Sequence, residues 1–85
     1  MKGRVQVTIS FYSYLKELTG SSREHQEIAP GSTLGELFET LARRYPKLAA
    51  MKQSTLMAVG VDYQPREYQL RDGDDVSFFP PVQGG

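Results

Sequence analysis

The sequence predicts an α+β fold, a mixed β-sheet with one main helix packed on one face. Residues 5–11 alternate apolar and polar residues, residues 34–45 repeat apolar residues at helical spacing, and residues 56–61 are an apolar run typical of a buried strand. Strands that flank one substantial helix are typical of this class. Since the chain has 85 residues and no internal repeat, we expect a single domain, residues 1–85.

Two strands are predicted in the amino-terminal third of the chain. In residues 5–11 every second side chain faces the core, because side chains alternate along a strand. The residues on that face are Val5, Val7, Ile9 and Phe11. Residues 23–28 are polar except for Ile28, and we interpret them as an edge strand antiparallel to the first, since one face of an edge strand is open to solvent. The single histidine, His25, then lies on the surface.

A short helix is predicted between these strands, over residues 14–18. Ser13 is its candidate N-cap, because a serine hydroxyl can accept a hydrogen bond from a free backbone N–H. Gly20 can adopt the left-handed conformation that ends a helix.

The main helix is predicted to begin at a capping box made by Thr33 and Glu36. Its apolar stripe follows the i, i+3, i+4, i+7 spacing and consists of Leu34, Leu37, Phe38, Leu41, Ala42 and Tyr45. Pro46 ends the helix, since proline has no N–H and restricts the residue before it. A further turn is predicted over residues 48–51.

The remaining elements follow the main helix. The run of residues 56–61 predicts a strand at the centre of the sheet, with a tight turn over residues 60–63. Residues 68–70 predict a short strand, and residues 71–74 a turn. The last strand then has Val76 and Phe78 facing inward and Ser77 and Phe79 facing outward.

Composition argues against several classes of function. Ten Lys and Arg balance ten Asp and Glu, so the chain lacks the basic excess of nucleic-acid-binding domains. It has no cysteine, hence no disulfide or thiolate site, and no apolar run approaches the roughly 20 residues of a membrane helix. We expect a cytoplasmic protein with no metal site and with neither nucleic acid nor membrane as a partner.

Catalytic and ligand-binding patterns are weak. His25 has no partner at a recognisable spacing, and no glycine-rich phosphate loop occurs. The basic residues Arg43, Arg44, Lys47 and Lys52 make a basic patch at the end of the main helix, where cations offset the helix dipole; an anionic partner or ligand is the alternative interpretation. We therefore expect that the chain is not an enzyme on its own.

The candidate reactive group is at the carboxyl terminus. Residues 80–85 are predicted to form an extended tail, because Pro80 and Pro81 each restrict φ. Gly84 and Gly85 have no side chains, so a narrow channel in another protein can close around them and reach the terminal carboxylate. Once activated with ATP, such a carboxylate can be attacked by sulfur or nitrogen in a partner's pocket. A disordered terminus is the alternative interpretation.

The carboxyl-terminal run DGDDVSFFPPVQGG, residues 72–85, resembles the end of the MoaD/ThiS-like family of β-grasp sulfur carriers, which includes the small subunit of molybdopterin synthase. The resemblance extends over nearly the whole chain. Residues 11–20 resemble the family's first strand and helix, residues 33–46 its long helix and residues 57–59 its central strand.

This resemblance implies a β-grasp, ubiquitin-like fold and the function of a sulfur carrier subunit in molybdenum cofactor biosynthesis. An E1-like adenylating enzyme (MoeB-like) would use ATP to activate the Gly85 carboxylate, which sulfur then converts to a thiocarboxylate. The tail would enter the large molybdopterin synthase subunit (MoaE-like) and donate sulfur to the pyranopterin precursor. The threading residues would be Pro80, Pro81, Val82, Gln83 and Gly84. No cofactor would be bound by the chain itself.

A docking surface beside the tail is predicted from side-chain parity. Tyr12 follows the inward Phe11, and Phe79 follows the inward Phe78, so both should lie on the sheet face opposite the helix, with Tyr63 at a nearby turn. If the three are contiguous, they form the kind of apolar patch that marks an interface, and the family docks its partners on this side. Isolated surface aromatics are the alternative interpretation.

Other functions stay open. Similar carriers serve thiamine synthesis, cysteine synthesis or tRNA thiolation, and the tail alone does not separate these pathways, although the Phe-Pro-Pro ending and the long helix favour molybdopterin. A noncovalent ubiquitin-like interaction module, with an idle tail, is an alternative of a different class. A modifier joined to lysines is the third.

Overall fold

The computed structural model describes residues 4–81 of the chain. The strands are β1 (Val5–Phe11), β2 (Arg23–Ile28), β3 (Leu56–Val59), β4 (Asp62–Tyr63) and β5 (Asp75–Phe79). The helices are α1 (Leu15–Thr19), α2 (Leu34–Arg44) and α3 (Pro46–Ala49). The predicted α+β class, a mixed sheet with one main helix on one face, is confirmed. The predicted roles of Val82, Gln83, Gly84 and Gly85 fall on residues outside the described part.

The five strands form one sheet in the order β2-β1-β5-β3-β4. β1 and β5 pair in parallel, with Phe11 opposite Phe78, and all other pairs are antiparallel. The edge position of β2 and its antiparallel pairing are confirmed. β3 is buried between two strands, but the middle position predicted for it belongs to β5. Gly60 ends β3 because it turns the chain at φ 64°.

The short strand predicted at residues 68–70 is wrong. The pairing with β3 is made by Asp62 and Tyr63, which the sequence placed in a turn. Residues 66–70 instead lie against the start of α2, where the Leu34 N–H donates to the Tyr68 carbonyl at 2.9 Å. Gln69 forms only an isolated bridge with Thr33. A two-residue strand carries no periodicity of its own, so its pairing partner determines where it forms.

The prediction of Ser13 as the N-cap of α1 is wrong. Ser13 has φ 56°, and Tyr14 occupies the cap position without a side-chain hydrogen bond. The turn at Ser13 thus displaces its hydroxyl from the position that could accept from the helix. Gly20 ends α1 as predicted, with φ 74° and its N–H donated to the Lys16 carbonyl.

The main helix has its predicted capping box. The Thr33 hydroxyl accepts from the Glu36 N–H at 3.2 Å, and the Glu36 carboxylate accepts from the Thr33 N–H at 2.9 Å. The following turn, α3, begins at Pro46 and not at Leu48, because proline is tolerated at the first position of a helix. Within residues 4–81 no helix is long and apolar enough to cross a membrane.

The core lies between α2 and the inner face of the sheet. From α2 it contains the predicted stripe except Tyr45, which is only partly buried at the helix end. Phe78 packs on Phe11 at 5.9 Å between ring centroids and edge-on against Phe38 at 5.8 Å. Each fully buried Phe or Leu contributes about 1.5–3 kcal/mol. The inner face therefore holds β5 firmly at the point from which the carboxyl-terminal segment departs.

Candidate functional site

The middle strand of the sheet leads directly into the predicted tail. β5 ends at Phe79, and the half-buried Pro80 and Pro81 follow it. The Tyr12 N–H donates to the Phe78 carbonyl at 3.1 Å, which joins the end of β1 to the end of β5. The base of the tail is thus held by the middle strand of the sheet.

Three aromatic side chains lie together at this base. Tyr12 stacks on Phe79 with 4.7 Å between ring centroids, and Tyr63 meets Phe79 edge-on at 6.2 Å. Tyr12 is 45% exposed and Tyr63 67% exposed, whereas Phe79 is partly buried between them. The predicted contiguity is therefore present, and we call Tyr12, Tyr63 and Phe79 the aromatic surface. Its role in partner binding stays a prediction.

The register of the sheet produces this arrangement. Tyr12 follows the Phe11–Phe78 pair and so lies beside Phe79, although the two residues are far apart in sequence. Ala58 is paired with Tyr63 on one side and with Ser77 on the other. Because Ala58 and Ser77 have small side chains, they leave the Tyr63 ring accessible.

Sequence reasoning missed Leu56, which lies opposite Phe79 on β3 and is only partly buried. The sequence contained the information to place Leu56, because Met57 and Val59 face the core and side-chain alternation places Leu56 on the other face. Leu56 extends the aromatic surface on the β3 side.

Among residues 4–81, no catalytic constellation lies at the aromatic surface. His25 is exposed, as predicted, and its Nδ1 lies 3.3 Å from the Thr8 hydroxyl. In the range 4–81 no group of three His, Cys, Asp or Glu side chains could hold a metal ion. What this part of the chain presents chemically is an apolar contact surface.

Two side chains with a shifted pKa, Tyr45 and Glu39, lie on the α2 side of the sheet. The pKa of Tyr45 is raised, chiefly because its hydroxyl donates a hydrogen bond to the Glu24 carboxylate. The pKa of Glu39 is lowered, chiefly by its hydrogen bond with Lys52, whose Nζ is 2.6 Å away. Both shifts come from surface pairs near α2.

The basic patch predicted at the end of the main helix, Arg43, Arg44, Lys47 and Lys52, is divided by the fold. Arg44 donates to Glu24 and to Gln26, each at 3.2 Å, and Lys52 pairs with Glu39. Arg43 and Lys47 are exposed. The four residues therefore do not form one basic patch.

The chain is similar to known proteins over nearly its whole length. Residues 9–85 match the model of the ThiS family. A molybdopterin synthase sulfur carrier subunit from Mycobacterium tuberculosis is 33% identical over 82 residues, which cover 95% of this chain and 99% of the relative.

Solved structures show the same fold. A putative molybdopterin converting factor, subunit 1, from Pyrococcus furiosus has a TM-score of 0.80 and 27% identity, and covers 92% of this chain and 99% of its own. A complex of subunits 1 and 2 of molybdopterin-converting factor from Helicobacter pylori has a TM-score of 0.68 and 21% identity, and covers 95% and 100%. The predicted β-grasp fold is confirmed.

Proposed function

The chain belongs to the ThiS family, and on this premise we propose that it is the sulfur carrier subunit of a molybdopterin synthase. The family match and the M. tuberculosis relative, named a molybdopterin synthase sulfur carrier subunit, support this assignment. In this role the chain is a substrate of one partner and the sulfur-donating subunit of another, and it is not an enzyme on its own.

The reacting group in this proposal is the carboxylate of Gly85. An E1-like adenylating enzyme binds ATP; a carboxylate oxygen attacks the α-phosphate, and pyrophosphate leaves. Hydrosulfide then attacks the acyl adenylate and AMP leaves with that oxygen, so the product is a thiocarboxylate. The carrier contributes a positioned terminus, because placing the reactants supplies much of the rate. ATP is bound by the partner, and no cofactor by the carrier.

The observation that carries the proposal is the position of the aromatic surface at the base of the tail. Phe79, the last residue of β5, directly precedes Pro80 and packs against both Tyr12 and Tyr63. Exposed aromatic clusters are typical anchors of protein interfaces. A partner that covers this surface also meets the start of the tail, so docking aligns residues 80–85 with its channel.

The second partner in this proposal is the large molybdopterin synthase subunit. The H. pylori neighbour was solved as a complex of subunits 1 and 2 of molybdopterin-converting factor, which supports a two-subunit assembly for chains of this fold. The large subunit would take up the tail and receive sulfur for the pyranopterin precursor.

Intact mass spectrometry of the protein purified from its own cells tests the proposal. A thiocarboxylate at Gly85 raises the mass by the difference between sulfur and oxygen, and a carrier shows this form when the adenylating enzyme, ATP and a sulfur source are present. An unshifted mass under those conditions identifies the tail as idle and rejects the carrier function. Adducts joined to lysines of other proteins would instead identify a modifier.

A further inference from the structure

The charges of this chain are segregated along the strands, although its net charge is zero. The tail end of the domain is where β1 and β5 end, where β2 begins and where α2 ends beside Glu24. Among the described residues its cations are Lys16, Arg23, Arg43, Arg44 and Lys47, and its carboxylates are Glu17 and Glu24.

The opposite end has the reverse balance. There β1 and β5 begin, β2 ends, and α2 starts near Gln69. Within residues 4–81 its carboxylates are Glu27, Glu36, Asp62, Glu67, Asp72, Asp74 and Asp75, and its cations are Arg4, Arg66 and Arg71. Several of these carboxylates have local roles: Asp72 accepts from the Gln6 N–H, and Asp74 accepts from the Arg71 N–H, each at 2.8 Å.

Most cations of the tail end have no such local role. In the described part of the chain only Arg44 forms a salt bridge there, with Glu24. Lys16, Arg23, Arg43 and Lys47 are exposed and form none with the described residues. The α2 macrodipole is equivalent to roughly half a charge at its carboxyl-terminal end, which is too little to account for four cations. We call Lys16, Arg23, Arg43 and Lys47 the basic end.

The two ends act as separate charged regions. A strand of five to seven residues at roughly 3.3 Å per residue spans about 16–23 Å. The Debye length at physiological salt is about 8 Å, so charges at one end are largely screened from the other. A partner that approaches the tail therefore meets a positive surface on a neutral protein.

We propose that the basic end docks against a carboxylate-bearing protein surface on the large synthase subunit, around the channel that receives the tail. This inference rests on the proposed function and adds the chemistry of the partner's surface. Arg23 is paired with Ser10 and shares its outward face of the sheet with the aromatic surface, while Arg43 and Lys47 lie at the same end on the helix side, so the charged contact adjoins the apolar contact through Arg23. An extended nucleic-acid backbone fits less well, since it would also approach the carboxylates of the opposite end.

The test compares two variants that carry the same net charge. Lys16→Glu with Lys47→Glu reverses two charges of the basic end, and Arg4→Glu with Arg71→Glu reverses two at the opposite end. Association with the purified large subunit of the same organism is followed by stopped-flow at low and at high salt. We expect the basic-end variant to associate about tenfold more slowly at low salt, with the difference lost at high salt, and the control to stay within about twofold of wild type.

The other possible outcomes of this experiment each overturn the proposal. Equal association rates for the wild type and both variants, or an equal loss of rate in both variants, overturn the docking of the basic end. In either case a thiocarboxylate in the wild-type mass spectrum leaves the proposed function standing. Absence of both the complex and the thiocarboxylate rejects the proposed function and this inference together. If the wild type binds a DNA duplex and only the basic-end variant loses this binding, the basic end is a nucleic-acid-binding site. That result also overturns the proposal.

Discussion

Tyr12 and Phe79 stack with their ring planes 5° apart, and this contact joins the end of the first strand to the residue before the tail. Tyr63 packs edge-on against the same Phe79 ring. The aromatic surface is therefore continuous with the strand that leads into Pro80 and Pro81, and in the proposed function a partner that docks there also meets the start of the tail.

Replacing Tyr63 by Ala should weaken binding to the large subunit. Tyr63 is 67% exposed and contacts Phe79, so its removal takes an anchor from the interface and little from the core. We expect the dissociation constant to rise about tenfold, equivalent to about 1.4 kcal/mol, when measured by calorimetry. Tyr14→Ala is the matched control, since Tyr14 is 43% exposed and is in none of the stacked pairs within residues 4–81. Equal losses in both variants would contradict the assigned surface.

Changes at the terminus should abolish sulfur transfer and leave the fold intact. An alanine at position 84 adds a methyl group where the channel is expected to close on the backbone, and one residue added after Gly85 moves the carboxylate. We expect no thiocarboxylate in the intact mass and an unchanged melting temperature. Full sulfur transfer by either variant contradicts the role of Gly85.

Gly35→Ala should destabilise the protein although Gly35 lies inside a helix. Alanine is favoured over glycine in helices by about 1 kcal/mol, but the added Cβ would lie 3.1 Å from the Arg66 Cβ. The Gly35 N–H also donates to the Arg66 carbonyl at 2.9 Å, which holds the loop close. We expect a net loss of about 1 kcal/mol in the free energy of unfolding, a fall of about 4–8 °C in melting temperature.

The double variant Gly35→Ala with Arg66→Gly separates this crowding from helix propensity. Removing the Arg66 Cβ relieves the close approach, so denaturant unfolding should show that the two substitutions cost less together than the sum of their separate losses. A stabilised Gly35→Ala protein would show that the loop moves aside without cost.

Stability should fall at alkaline pH partly because of Tyr45. Its pKa is raised above the ordinary value of 10.0, chiefly by the hydrogen bond to Glu24. The folded state thus holds the proton more tightly than the unfolded state, so this contribution is complete below pH 10 and is lost as the pH rises through the folded-state pKa. Tyr45→Phe should lower the melting temperature at neutral pH and flatten its decline above pH 10.

Tyr14→Phe is the control for this pH dependence, since the Tyr14 hydroxyl makes no side-chain hydrogen bond within the described range. It should decline with pH as the wild type does. A Tyr45→Phe protein with the same alkaline decline would contradict the role of the Glu24 contact.

The aromatic surface could be predicted in part, because side-chain parity assigns Tyr12 and Phe79 to the outer face once Phe11 and Phe78 are assigned to the core. The position of Tyr63 on a paired strand could not be predicted, since β4 exists only through its contacts with Ala58 and Val59. The prediction of the α1 N-cap was wrong for a related reason, because the backbone turn at Ser13 overrides the capping preference of its side chain.

The sequence by itself determined the inner and outer faces of the strands, the extent of the main helix and the family to which the tail belongs, because these depend on periodicity and short motifs. Only the tertiary structure decided which distant segments meet. The parallel pairing of β1 with β5 brings Tyr12 to Phe79, and the alignment of the strand and helix ends separates cations from carboxylates in a neutral chain. Contacts and charge patterns of this kind depend on strand order and register, which local sequence patterns do not specify.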